Sequence, residues 1–228
     1  GGRLERVRAA RCVLACYHMM IPYIMSELPK AHREAQSQNV KAPLVYVKVA
    51  VRHWRPWVAR RVHEIANPMG FYTRVKLDYP VSLGGYRFPR SPDEPMVLHL
   101  VHVPTVRAPG LDLRSRLRAA RAKLYDMPFD AFEHAARVEL SRMLGPGGFD
   151  ADRDIAAITV NRWGHGYSYS GSTLDDGDDD GERIPAAARR RAGRVAFANG
   201  DAAWGPYAHA AIDEAYRAVG ELEGKAKK

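Results

Sequence analysis

The 228-residue chain lacks any run of roughly 18 to 20 uninterrupted apolar residues, the length a membrane-spanning helix needs. Its nearest approach, Cys12 to Met25, is broken by His18 and Pro22, so no membrane span is expected. Cysteine is scarce: Cys12 and Cys16 are the only two. Four residues apart on an extended segment they would lie roughly 13 Å from each other, beyond disulfide reach, and they are expected to be free core thiols. Free thiols favour a reducing compartment. Reading Cys12, Cys16 and His18 as a zinc site leaves the fourth ligand missing. The N-terminus has no charged region followed by a small-residue cleavage site, because Gly1-Gly2-Arg3-Leu4-Glu5-Arg6 runs directly into an apolar segment. The expectation is a chain that has lost its front end, with cytoplasmic and periplasmic locations both open. There is no G-x-S-x-G, neither cysteine has an evident activating partner, and there is no internal repeat, so nothing points to nucleophilic hydrolysis or a solenoid.

What is present is enough for a buried core: 46% apolar residues and four Trp. The net charge is +9 and the isoelectric point is near 9.7, with Arg189-Arg190-Arg191 and Arg194 the densest basic run. A basic nucleic-acid-binding module is therefore one reading. Against it, the remaining charge is scattered, and Arg114, Arg118 and Arg121 oppose an apolar face of Leu113, Leu117, Ala120 and Leu124 as a solvated helix side would. The periodicity predicts strands over Leu4 to Ala15, with a turn near Ala9-Ala10 and a buried end at Cys12 to Ala15, and over Leu44 to Val51, Phe71 to Leu77, Met96 to Val103, Ile155 to Trp163 and Val195 to Ala198. Helices are predicted from Lys30 to Gln38, from an Asp126 N-cap to Gly145, and from Tyr207 to Leu222. Ser168 to Pro185 reads as a polar loop. Its Asp176-Gly177-Asp178-Asp179-Asp180-Gly181 starts like a calcium loop, but the twelfth position is Ala187 rather than a bidentate Glu. His99 and His102, three apart on a strand, face opposite ways and cannot act as a pair.

The most informative segment is Gly193-Arg194-Val195-Ala196-Phe197-Ala198-Asn199-Gly200-Asp201-Ala202-Ala203, followed by Trp204-Gly205-Pro206-Tyr207 and the last helix. A strand ending in Gly-Asp allows close backbone approach and offers one carboxylate, while the helix start offers unpaired N–H groups; a simple turn is the alternative. Trp163, His165, Tyr167 and Tyr169 fall at period two and would share one face, suited to cation–π contact or to packing within a sheet.

The segment from Gly193 resembles the C-terminal FAD motif of flavoproteins of the glutathione-reductase type. With Tyr207 to Leu222 it is similar to the ending of the spermidine dehydrogenase and flavin amine oxidase branch. The stretches Cys12 to Tyr23, Pro80 to Tyr86 and Ile158 to Tyr167 resemble that branch in the same order, so the resemblance covers nearly the whole chain. It implies an α/β fold, the C-terminal portion of an FAD-binding flavoprotein: residues 1–25 and 190–222 as remnants of the nucleotide-binding domain, 26–189 as a substrate domain of antiparallel sheet and helices, and 223–228 as a disordered tail. It implies hydride transfer from an amine or polyamine carbon to FAD. Gly200, Asp201, Ala202, Tyr207 and Ala208 would contact the cofactor, and Trp163, His165 and Tyr167 would form the substrate wall. Where the family often carries Ser, this chain has Gly200. The strand–G-x-G-x-x-G–helix that would cradle the diphosphate is missing, since neither Gly84-Gly85, Gly145-Pro146-Gly147-Gly148 nor Gly164-His165-Gly166 has the spacing. The alternative is a non-catalytic fragment, or a subunit completed by a partner chain or by a second copy.

Overall fold

A computed structural model describes residues 2–224 and divides them into two compact units. Unit 1 comprises Gly1–Ala42, Ala108–Arg118 and Tyr167–Lys228; unit 2 comprises Pro43–Arg107 and Ala119–Gly166. The strands in chain order are β1 (Cys12–Leu14), β2 (Ala42–Val51), β3 (Glu64–Ala66), β4 (Arg74–Leu77), β5 (Met96–His102), β6 (Ile155–Tyr167) and β7 (Val195–Phe197). The α-helices are α1 (Ile21–Ile24), α2 (Lys30–Ser37), α3 (Arg55–Arg60), α4 (Leu113–Asp126), α5 (Phe129–Leu144), α6 (Ala151–Asp154), α7 (Asp180–Arg189) and α8 (Ala208–Glu223).

Unit 2 is built on a five-stranded sheet in the order β3-β4-β5-β2-β6. Alternation along β2 decides its orientation: Val45, Val47, Val49 and Val51 are buried, while Tyr46, Lys48 and Ala50 are only partly so. β-Branched side chains suit that pleated surface. The antiparallel register sets Val49 opposite Leu98 and Val47 opposite Leu100, and this apolar face receives Phe132, Ala136, Leu140 and Leu144 from α5 at helical spacing. A second latch is polar. Buried Glu139 of α5 accepts the backbone N–H of Phe71 at 2.7 Å and of Tyr72 at 3.0 Å, and the Tyr72 hydroxyl donates to the Phe132 carbonyl at 2.7 Å.

Unit 1 holds a two-stranded parallel pair, β1 with β7. Phe197 packs with Ile21 and Leu28, while Ala196 and Ala198 pack with Ala218 of α8. Small residues on β7 let α8 lie close to the strand. A third cluster joins Tyr169, Trp204, Ile184, Ala188 and Ala35.

Three local expectations change. Residues 3–9 carry no strand, and β1 is not a buried strand: Cys12 is exposed and Val13 is 40% exposed, because β7 covers only one side of it. Both cysteines are free thiols, but Cys12 is not in the core. Asp126 ends α4 instead of capping α5, whose N-cap is Pro128 without a side-chain bond. The polar loop gives way at Asp180 to α7, which tolerates Pro185 in its interior because Ile184, Pro185 and Ala188 are buried. Of the tail from 223, residues 225–228 lie outside the described residues.

Four histidines link this packing to acid stability. His18 and His32 in unit 1, and His99 and His102 in unit 2, are each held below the ordinary 6.5, in every case chiefly because burial disfavours the charged ring. A depressed histidine is neutral when folded, and the unfolded chain takes up the proton first. Stability is therefore complete above about pH 6.5 and falls as pH drops below it, by at most about 1.4 kcal/mol per pH unit for each ring. Urea midpoints at pH 7.5 and 5.5 should show the drop; equal midpoints would mean the rings titrate freely in the fold.

Candidate functional site

The segment after β7 leaves regular geometry at once. Asn199 sits at φ 96°, ψ 157°, a region normally reserved for glycine, held there by its Nδ2 donating to the Ala15 carbonyl at 3.2 Å. Gly200 to Ala203 form a 3-10 turn, Trp204 closes it at φ 50°, and α8 begins at Ala208. The turn is tight: the Gly205 N–H donates to the Gly200 carbonyl at 2.9 Å. A Cβ at Gly200 would lie 2.5 Å from that Gly205 oxygen, and one at Gly205 would lie 2.7 Å from the Ala210 Cβ. Glycine is thus required at 200 by the backbone of its own turn. Gly200→Ser should destabilise unit 1 by about 1–3 kcal/mol, measured as a lowered urea midpoint with an unchanged slope.

Asp201 is fully buried and is the hub of a polar cluster. Its Oδ1 accepts from the Ser168 hydroxyl at 2.5 Å and pairs with Lys41 Nζ at 2.6 Å; its Oδ2 accepts the His18 backbone N–H at 3.1 Å. The Asp201 carbonyl accepts from Asn39 Nδ2 at 2.7 Å, and Asn39 Oδ1 accepts the Tyr169 N–H. Lys41 also lies 5.4 Å from the Tyr17 ring centroid. The His18 ring, with Nε2 3.3 Å from the Ala198 carbonyl, leaves a buried Nδ1 without a partner. Its proton affinity is lowered by burial, opposed by the Asp201 carboxylate and the Ala198 carbonyl, and lowered further by Lys41. The cluster therefore joins three separate stretches: 17–18, 39–41 and 168–169 meet the turn at 201.

Of the residues singled out in the sequence, Gly200, Asp201 and Ala202 are buried together in the turn, whereas Tyr207, 64% exposed, and exposed Ala208 stand at the start of α8. Tyr207 stacks on His209 with centroids 5.5 Å apart. Trp163 and His165 are exposed on the part of β6 that belongs to unit 2, and exposed Tyr167 is the first residue of the following segment of unit 1. Tyr169 parts from this series: it is buried against Trp204 and Arg114, and its hydroxyl bonds Asp176 at 2.8 Å. Asp175 and Asp176 of the acidic loop pair with Arg116 and Arg114. In the basic run, Arg189 pairs with Glu214 and Arg191 donates to the Glu221 carbonyl. Sequence reasoning missed Lys41, Ser168, Asn39 and His18. No periodicity signals polar residues that meet only through long-range folding.

No family model and no curated protein matches the chain. Solved structures do. Cyclohexylamine oxidase from Brevibacterium oxydans IH-35A is similar at TM-score 0.62 and 16% identity, over 96% of this chain and 44% of that one. A putrescine oxidase variant from a redesign of cofactor binding is similar at TM-score 0.62 and 12% identity, over 96% and 43%. Wild-type putrescine oxidase bound to putrescine is similar at TM-score 0.55 and 14% identity, over 95% and 42%. The fold matches part of an amine oxidase. This chain spans less than half the length of the structures it resembles.

Proposed function

We propose that the chain is the portion of an FAD-dependent amine or polyamine oxidoreductase, of the spermidine dehydrogenase kind, that closes over the flavin and contributes to the substrate wall. The observation that carries this reading is a likeness to amine oxidases extending over 96% of the chain. The residues fit the cofactor in a particular way. The start of α8 supplies backbone N–H groups and the positive end of a 16-residue helix beside exposed Tyr207 and Ala208, chemistry that suits an electron-rich ring or a phosphate. Asp201, with both carboxylate oxygens already engaged inside unit 1, serves with Gly200 and Ala202 by fixing the turn from which α8 departs. Trp163, His165 and Tyr167 offer aromatic surface for an alkylammonium. When bound, the flavin would accept a hydride equivalent from the carbon next to the amine nitrogen, and the protein's part is orientation and exclusion of water.

The test is an absorption spectrum of the purified chain after incubation with FAD and desalting, followed by polyamine addition. Retained flavin bands that bleach with a polyamine are expected once the dinucleotide-binding segment is supplied, in cis or by a second chain. A reconstituted protein that stays colourless would overturn the reading.

A further inference from the structure

Unit 2 contains a cavity of about 510 Å³ lined by Arg52, His53, Arg55, Gly148, Arg153 and Asp154 among others. It forms where β2 ends, α3 begins and α6 turns into β6, and the Arg52 N–H donating to the Asp154 carbonyl at 2.9 Å ties these pieces together. Its single lining carboxylate is already spent. Asp154, 1% exposed, receives Arg153 Nε at 2.6 Å and Nη2 at 2.9 Å, the Asp150 N–H at 2.9 Å and His53 Nε2 at 3.3 Å. Arg55 is paired with Asp93. Arg52 has no ion pair among the described residues: its Nε donates to the Arg153 carbonyl at 3.2 Å, and its terminal nitrogens have no protein acceptor.

The remaining unmet group is His53 Nδ1, buried and without a partner. Nε2 faces the Asp154 carboxylate at 3.3 Å, which selects the tautomer with the proton on Nε2 and leaves Nδ1 as an acceptor. Arg153 Nη2 also donates to the Gly148 carbonyl at 2.9 Å, so the cavity presents the two terminal nitrogens of Arg52, Nη1 of Arg153 and one buried acceptor. Near pH 6 a phosphate, free or esterified, carries a P–OH beside its P–O⁻ oxygens and satisfies both; sulfate, without a hydroxyl there, satisfies only the donors. The volume lies in the range of small-molecule sites. We propose that this cavity binds a phosphate group, with the terminal nitrogens of Arg52 and Nη1 of Arg153 on its oxygens and His53 Nδ1 accepting from its hydroxyl. The proposal is independent of the flavin reading.

The experiment is a titration of the ¹⁵N-labelled full chain at constant ionic strength with inorganic phosphate, glycerol 3-phosphate, sulfate and chloride, following the His53 ring nitrogens and the Gly147 and Gly148 amides. Saturable shifts with both phosphates are expected, and Arg52→Gln, which breaks only one exposed hydrogen bond, should weaken binding roughly tenfold at an unchanged melting temperature. Tighter binding of glycerol 3-phosphate would identify an esterified ligand; equal affinity would identify the free ion. Sulfate or chloride producing the same shifts, no saturation with either phosphate, or unaltered affinity in folded Arg52→Gln would each overturn the proposal.

Discussion

Asp201→Ala is expected to lower the stability of unit 1 by about 3–5 kcal/mol, the cost of leaving a buried ion pair half-made. The substitution removes the acceptor shared by three donors at once: Lys41, whose side chain is 14% exposed, the Ser168 hydroxyl, and the His18 backbone N–H. Asp201→Asn keeps an acceptor but removes the charge opposite Lys41, and should fall between wild type and Ala. Chemical denaturation followed at Trp204, the tryptophan buried in unit 1, reads the effect. A loss below about 1 kcal/mol would place Asp201 among ordinary surface pairs and remove it as the anchor of the turn. Under the proposed function, Asp201→Ala should also weaken FAD retention in the flavin-loaded protein, through displacement of the α8 start; unchanged flavin occupancy would sink the positioning role even if stability fell.

Phe132→Ala is the corresponding test of unit 2, with an expected loss of about 3–5 kcal/mol from transfer and cavity terms. Phe132 is fully buried and packs edge-on to Phe71 at 5.7 Å, and its carbonyl receives the Tyr72 hydroxyl. Because α5 also carries Glu139, a shifted helix would loosen the two backbone N–H groups that Glu139 receives. Amide exchange at Phe71 and Tyr72 should therefore accelerate with the fall in urea midpoint. A normal exchange rate with a large stability loss would mean that the cavity is absorbed without moving α5.

Much of this fold was legible from side-chain period. The valines of β2 alternate every second residue, and Phe132, Ala136 and Leu140 recur at helical spacing, because one buried face imposes those periods on any sequence that satisfies it; Phe129, at the same spacing, is exposed, and Leu144 joins the core unannounced. What failed was local punctuation. Asp126 has the chemistry of a cap, yet α4 extends to it, and Pro185 should have ended a helix yet sits inside α7. At Pro185 packing outweighed propensity, since Ile184, Pro185 and Ala188 are buried. The site divided along the same line. The strand–Gly-Asp–helix arrangement around Asp201 stands contiguous in the chain and was visible; its partners Lys41, Ser168 and His18 come from positions 33 to 183 residues away in sequence, and no local pattern marks such a meeting.

The β1–β7 pair also bears on how the protein behaves in the tube. Among the described residues no strand pairs with the side of β1 that faces away from β7, and exposed Cys12 stands at its beginning, so the same short strand invites both strand-on-strand association and oxidation. Two molecules paired along this edge in parallel register would set their Cys12 thiols side by side. Concentrated, unreduced samples will therefore accumulate covalent dimers, and light scattering with and without a reductant is the quality control every other experiment on this protein depends on.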